Sequence, residues 1–97
     1  MEIETIIKQI KSVLIGENLN FTNETDKFEI LEFLNTKIKT NIEEAEKELF
    51  TSTKGECNDL NTFYLNQKEF QPTTHNFTKL LLQNSLLIKN LIQLNKL

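Results

Sequence analysis

The sequence predicts an all-α protein, a small antiparallel four-helix bundle that forms a single domain over residues 1–97. Apolar residues recur at spacings of three and four in several segments, which is the period of an amphipathic helix. Short polar links that carry Gly or Pro separate these segments. Leu, Ile, Val and Phe together make up about a third of the chain, which is enough to form a core.

The first helix is predicted over residues 2–15, because its apolar residues lie on one face. Gly16 follows the last apolar residues, at the position where a left-handed C-cap favours glycine. The apolar face consists of Ile3, Ile6, Ile7, Ile10, Val13 and Leu14.

The second helix is predicted to begin after a polar link and to be capped by Thr22 or Asn23. Its apolar residues follow a heptad pattern with one polar member, Asn35. This amide either sets the register of an oligomer interface or lies near solvent, and the second interpretation is favoured because Asn is abundant in the chain. The heptad seam consists of Phe28, Leu31, Asn35, Ile38, Ile42, Ala45 and Leu49.

The third helix is predicted to follow the turn-rich link 51–59, with Thr53 or Asn58 as its cap. It is expected to end before Pro72, because the residue preceding a proline avoids helical angles. Its tyrosine is interpreted as a core residue. The apolar face of this helix consists of Leu60, Phe63, Tyr64, Gln67 and Phe70.

The last helix, residues 77–97 with a cap at Thr73 or Thr74, is the most hydrophobic stretch and is predicted to be the most buried. It is long enough to cross a bilayer, but lysines and amides interrupt it at costly positions. We therefore expect no membrane-spanning segment. In an alternative architecture the second and third helices join, giving a three-helix arrangement or a helical hairpin that dimerises.

The charge distribution argues against a free nucleic-acid binder. The net charge is −3, the chain has no Arg, and residues 17–59 hold eleven acidic residues against five lysines. A nucleic-acid-binding domain usually shows a basic field, and here only Lys68, Lys79, Lys89 and Lys96 would supply one. The N-terminal residues lack the pattern of a signal peptide, and a single cysteine forms no internal disulfide, so a cytoplasmic location is expected.

Catalytic chemistry is not predicted. A nucleophilic cysteine needs a base and an orienting group, and the only candidates, Cys57 and His75, lie on two different links. The Glu-x-x-His pairs that hold two metals in helical bundles are absent from the sequence. We expect no enzyme activity, no metal and no cofactor.

One acidic cluster is the candidate binding site. Four glutamates crowd the end of the second helix, where the helix dipole disfavours negative charge. Either the helix extends past Thr51 towards Lys54, which moves the acids inward, or the cluster is a surface kept for a partner. A solvated charged face is the favoured interpretation. The cluster, hereafter the acidic cluster, consists of Glu43, Glu44, Glu46 and Glu48.

Two hypotheses for function follow. The first is a non-enzymatic interaction protein that binds another macromolecule, as an inhibitor, immunity protein or chaperone does, with a protein partner docked on the acidic cluster. The second is a self-associating structural subunit, such as a homodimer, that uses the heptad seam and the apolar last helix. In that case Asn35 and Asn84 would lie between chains.

Overall fold

A computed structural model describes residues 2–66 and 74–97. These ranges form four helices and no strand, which confirms the all-α prediction. The predicted antiparallel packing of all four helices is not confirmed. The helices are α1 (Ile3–Val13), α2 (Lys27–Ser52), α3 (Leu60–Leu65) and α4 (His75–Asn95).

The long helices α2 and α4 form the framework of the fold and run antiparallel. Glu48, near the end of α2, contacts Asn76 at the start of α4 at 2.9 Å. Asn41, near the middle of α2, contacts Asn84 further along α4 at 2.8 Å. Residue numbers therefore rise along one helix as they fall along the other.

Two apolar clusters lie along this framework. The lower cluster joins α1 to the first half of α2 and the second half of α4. The upper cluster joins the second half of α2 and the first half of α4 to α3 and the link before it. The lower cluster consists of Ile6, Ile7, Ile10, Leu14, Ile30, Leu34, Leu87 and Leu94, and the upper cluster of Ala45, Leu49, Cys57, Phe63, Phe77 and Leu80.

A layer of amides, hereafter the amide layer, separates the two clusters. The side-chain amide of Asn41 donates to Asn84 Oδ1 and to Gln83 Oε1, both at 2.8 Å. Asn84 in turn donates to the backbone carbonyl of Ile38 at 3.0 Å. Both asparagines are buried, so these hydrogen bonds offset the cost of removing the amides from water.

The buried stripe of α2 differs from the predicted heptad seam. In the first half of the helix the seam residues Phe28 and Asn35 are exposed, and Ile30 and Leu34 are buried instead. Asn35 is exposed in the single chain, which agrees with both interpretations of this amide, and the buried amide of this helix is Asn41. In the second half, Ala45 and Leu49 are buried as predicted; the full stripe is Ile30, Leu34, Asn41, Ala45 and Leu49.

Helix α4 is buried along one stripe rather than on most sides. Its stripe holds six buried residues, more than any other helix in the described ranges has. Leu82 is nevertheless 62% exposed and Ile92 51% exposed. The remaining apolar side chains of α4 thus reach solvent; the buried stripe is Phe77, Leu80, Asn84, Leu87, Asn90 and Leu94.

The N-caps of α2 and α3 differ from the predicted residues, and the N-cap of α4 is one of two predicted alternatives. Asp26, not Thr22 or Asn23, caps α2 by accepting from the N–H of Phe28 at 2.9 Å. The two earlier residues lie in a turn in which the Thr25 hydroxyl accepts from the N–H of Thr22. Thr74 caps α4 by accepting from the N–H of Phe77, as one of the two alternatives predicted; Thr73 lies outside the described residues.

The third helix departs most from prediction. Asp59 caps α3 in place of Thr53 or Asn58, because its carboxylate reaches the N–H of Thr62 at 2.8 Å. Tyr64 is 52% exposed and is not a core residue. Helix α3 ends at Leu65, and the predicted positions Gln67, Phe70 and Pro72 lie outside the described residues.

Helices α1 and α2 end close to their predicted positions. Helix α1 ends at Val13, two residues before the predicted end, with Leu14 as its C-cap. Gly16 is therefore not the predicted cap; with a φ of 91° it lies in the turn that the N–H of Glu17 closes on the carbonyl of Leu14 at 3.2 Å. Helix α2 ends at Ser52, two residues before Lys54, towards which one explanation of the acidic cluster had extended it. Within residues 2–66 and 74–97, no helix is long and apolar enough to cross a membrane.

Removing one amide of the amide layer is expected to destabilise the protein. Asn84→Ala leaves the buried amide of Asn41 without one of its acceptors, and we expect a loss of about 1–3 kcal/mol in the free energy of unfolding. Denaturant unfolding measures this loss. Asn35→Ala is the matched control on an exposed amide, with an expected change within about 0.5 kcal/mol. Equal effects of the two substitutions would contradict the role given to the amide layer.

Candidate protein-binding site

The acidic cluster divides into two inward and two outward carboxylates. Glu46 accepts a hydrogen bond from the backbone N–H of Leu60 at 3.2 Å, at the start of α3. Glu48 accepts from the side-chain amide of Asn76 at 2.9 Å and from the hydroxyl of Thr74 at 3.2 Å, at the start of α4. These two carboxylates therefore have structural partners within the chain.

Their positions explain why acidic residues are tolerated near the end of α2. The negative end of a helix dipole disfavours carboxylates, whereas the N-terminus of a helix has free N–H groups and favours them. Because α4 begins beside the last turns of α2, Glu48 lies close to the positive end of α4. The favourable interaction with α4 offsets the unfavourable one with α2.

The other two carboxylates, Glu43 and Glu44, are exposed. Neither forms an ion pair or a side-chain hydrogen bond with any residue in the described ranges. Both ion pairs found in those ranges, Lys8–Glu4 and Lys37–Glu17, lie outside the acidic cluster. Glu43 and Glu44 thus direct their charge to solvent.

A shallow groove of about 600 Å³ lies beside Glu43 on the outer side of α2. Its apolar floor includes the ring of Phe50, which is 51% exposed. Two carboxylates and one ammonium group rim the groove, so its charge is negative overall. The groove, hereafter the acidic groove, is lined by Glu43, Glu46, Lys47, Phe50, Thr51 and Asn58.

The chain reversal after α2 fixes the position of Phe50. The N–H of Gly55 donates to the carbonyl of Phe50 at 2.8 Å, a bond that spans five residues and closes the helix end. Gly55 has a φ of 85°, a conformation that a side chain at this position would strain. A Cβ there would make an ordinary van der Waals contact with the Phe50 ring at 3.5 Å. The positive φ, and not a lack of space, is therefore the reason that glycine suits this position.

Two hydrogen-bonded residues hold the link beside the acidic groove. The hydroxyl of Thr53 donates to the carbonyl of Leu49 at 2.8 Å and accepts from the N–H of Cys57 at 2.9 Å. At the other end of the link, Asp59 accepts hydrogen bonds from the backbone N–H and the hydroxyl of Thr62. These bonds hold the pKa of Asp59 below its ordinary value. The link that carries Asn58 to the acidic groove is thus fixed at both ends.

The two candidate catalytic residues lie in different environments. Cys57 is buried in the upper cluster, where its thiol donates weakly to the carbonyl of Asp59 at 3.5 Å. His75 is exposed at the start of α4. No hydrogen bond joins them in the part of the chain that the structure describes. Across the same residues, no three His, Cys, Asp or Glu side chains lie close enough together to hold a metal ion.

Sequence reasoning found the acidic cluster and missed its aromatic neighbour. Phe50 lies four residues after Glu46, on the same side of a helix. That spacing was the available signal. No family model, no curated protein and no solved structure matches this chain, so its own residues are the basis for a functional proposal.

Removing the inward carboxylate at the start of α4 is expected to cost stability. Glu48→Ala deletes two hydrogen bonds to α4, and we expect a loss of about 0.5–1 kcal/mol, because the bonds are partly screened by solvent. Glu43→Ala, which removes an outward carboxylate from the same helix, is the matched control and should change stability less. The two thermal midpoints compare the effects, and a larger loss for Glu43→Ala would contradict the division of the cluster.

The Asp59 cap is expected to weaken in acid. Because its folded-state pKa is lowered, its stabilising effect is present above the unfolded value of about 3.8 and is lost as the pH falls through the folded-state pKa. Asp59→Asn keeps an acceptor but does not titrate. We expect wild type to be more stable than Asp59→Asn at neutral pH, and the difference to shrink below pH 3.8. A difference that stays constant with pH would contradict this assignment.

Proposed function

We propose that this protein is a non-enzymatic interaction protein, a small cytoplasmic helical bundle that binds another protein as an inhibitor, immunity protein or chaperone does. The observation that carries the proposal is the acidic groove. An exposed aromatic ring lies on its floor, and the outward carboxylates Glu43 and Glu44 lie at its rim or beside it.

The chemistry of the groove favours a partner with basic residues around an apolar side chain. An aromatic residue at the centre of an interface commonly supplies much of the binding energy when it is desolvated. The backbone of Phe50 is fixed by the helix end, and its ring is half exposed in the free chain. An anchor on a backbone that is already ordered loses less entropy when a partner covers it.

The carboxylates would act mainly on the rate and specificity of association. Exposed charges steer a partner of opposite charge towards the site, and this effect weakens as salt screens it. Glu43 rims the acidic groove. Glu44 lies on the neighbouring surface of α2, where it lines a second depression with Lys37 and Lys79. A partner that covers both surfaces would interact most with Glu43.

The location of the groove supports a docking role. The molecule measures 46 × 26 × 17 Å, and the acidic groove lies at the end formed by the C-terminus of α2. The opposite end holds the N-terminus of α1 and the C-terminus of the chain, where Glu4 and Leu97 line a separate depression. A partner bound at the groove would leave that end free.

A binding experiment with charge-neutral variants tests the proposal. Glu43→Gln/Glu44→Gln removes the outward charges without changing side-chain size, and we expect it to slow association with the native partner, captured from cells of the source, by about tenfold at low salt. Phe50→Ser should instead speed dissociation. Glu4→Gln/Glu24→Gln, which removes the same charge from the opposite end of the molecule, is the control and should bind as wild type does.

All four glutamates of the acidic cluster can be replaced by Gln together. At positions 46 and 48, Gln keeps an oxygen acceptor for the hydrogen bonds from α3 and α4, so we expect the variant to fold. If the captured partner bound this variant and Phe50→Ser as tightly as wild type at low salt, the proposal would be wrong.

A further inference from the structure

A small cleft of about 320 Å³ lies between α1 and α4. Five of the seven residues that line it are polar, namely Gln9 and Ser12 of α1 and Lys89, Asn90 and Gln93 of α4. None of these residues lines the acidic groove. The cleft is therefore separate from the site proposed for a protein partner.

Asn90 is a buried amide whose hydrogen-bonding groups the fold does not use. It is 4% exposed and lies on the same buried stripe of α4 as Asn84. Asn84 bonds to Asn41 and to the carbonyl of Ile38, whereas the side chain of Asn90 forms no hydrogen bond with any residue in ranges 2–66 and 74–97. Burying an amide without a partner costs free energy, so packing alone would favour an apolar residue at this position.

Gln93 adds a second unpartnered group about one turn further along α4. Its side-chain oxygen, Oε1, is buried and has no hydrogen-bond partner among the described residues. The half-buried side chain can therefore turn this oxygen towards a ligand without breaking a hydrogen bond made by it. A ligand that donates to Oε1 would remove the cost of leaving the acceptor unpaired.

The volume of the cleft fits a small molecule better than one ordered water. Liquid water takes about 30 Å³ per molecule, roughly a tenth of the cleft. Pockets that bind small molecules begin at about 300 Å³, and the cleft lies at this lower limit. One water molecule bonded to Gln93 would leave most of the space without an ordered occupant.

We propose that the cleft binds a small carboxylate that has a hydrogen-bond donor next to its carboxyl group, such as an α-hydroxy acid, and an apolar tail. Among the described residues that line the cleft, Lys89 alone is charged, and it forms no ion pair with any of the others described. The carboxylate accepts from this ammonium group and from the amide N–H groups of Asn90. The neighbouring donor bonds to Gln93 Oε1.

The lining requires every part of such a ligand. An amide side chain both donates and accepts, so a ligand that only accepts leaves the oxygens of Asn90 and Gln93 unpaired. A ligand that only donates leaves Lys89 without a negative partner. Val13 and Leu86 supply the apolar part of the lining, against which the tail packs.

An NMR titration of isotope-labelled protein tests this proposal. The probe is leucate, the α-hydroxy acid analogue of leucine, and we expect it to shift the side-chain amide signals of Asn90 and Gln93 to saturation. Two matched compounds each lack one function: isocaproate has no hydroxyl, and the diol made by reducing leucate has no carboxylate. Each should bind about tenfold more weakly than leucate, because it leaves polar groups of the cleft unpaired.

Two substitutions test the roles of individual residues. Lys89→Met removes the charge and should weaken leucate binding by about tenfold. Lys79→Met is the control, because it removes an exposed lysine of the same helix that does not line the cleft. Gln93→Met should weaken the binding of leucate but not of isocaproate, which has no hydroxyl to donate, whereas a purely structural role of Gln93 would affect both equally.

Circular dichroism confirms that each variant is folded. The absence of a saturable shift with leucate would overturn the proposal and leave ordered water as the only occupant of the cleft. Equal binding of leucate and the diol would also overturn it, as would equal weakening by Lys89→Met and Lys79→Met. These outcomes are distinct from a failure of the proposed function, because no residue in this test lines the acidic groove.

Discussion

The hydrogen bond between Asn41 and Asn84 is the interaction on which the rest of the structure depends. It joins the two long helices between two apolar clusters, where an amide without a partner would be costly. Apolar side chains alone tolerate several alignments of α2 and α4. Sliding one helix by a turn, about 5.4 Å, would separate these amides and leave both buried without partners. The pair therefore specifies the alignment more than it adds to stability.

Each end of the molecule depends on this alignment in a different way. In the lower half it brings α1 onto one side of α2 and α4, where the lower cluster forms. In the upper half it brings the start of α4 beside Glu48, which holds that helix end while Glu46 holds the start of α3. Two of four clustered charges are thereby committed to the fold. Glu43, Glu44 and the ring of Phe50 remain exposed.

The fold class could be predicted because helical periodicity is a local property of the sequence. The burial of Asn41 and not Asn35 could not be predicted from local sequence, since it depends on which side of α2 faces α4. Caps were mispredicted where several Thr, Asn and Asp residues stand within a few positions, because only the backbone path selects among them. Tyr64 was assigned to the core by spacing, although its helix ends one residue later. The acidic cluster could be recognised in the sequence. The inward position of Glu46 and Glu48 could not, because the residues that they bind are distant in sequence.

Solution NMR of the side-chain amides would test the central claim most directly. The account predicts nuclear Overhauser contacts between the side-chain amide protons of Asn41 and protons of Asn84, and between the amide of Asn84 and the backbone of Ile38. It also predicts that the amide protons of both asparagines exchange with water more slowly than those of exposed Asn35. Exchange at the rate of Asn35, with no contact between the two helices at this level, would contradict it.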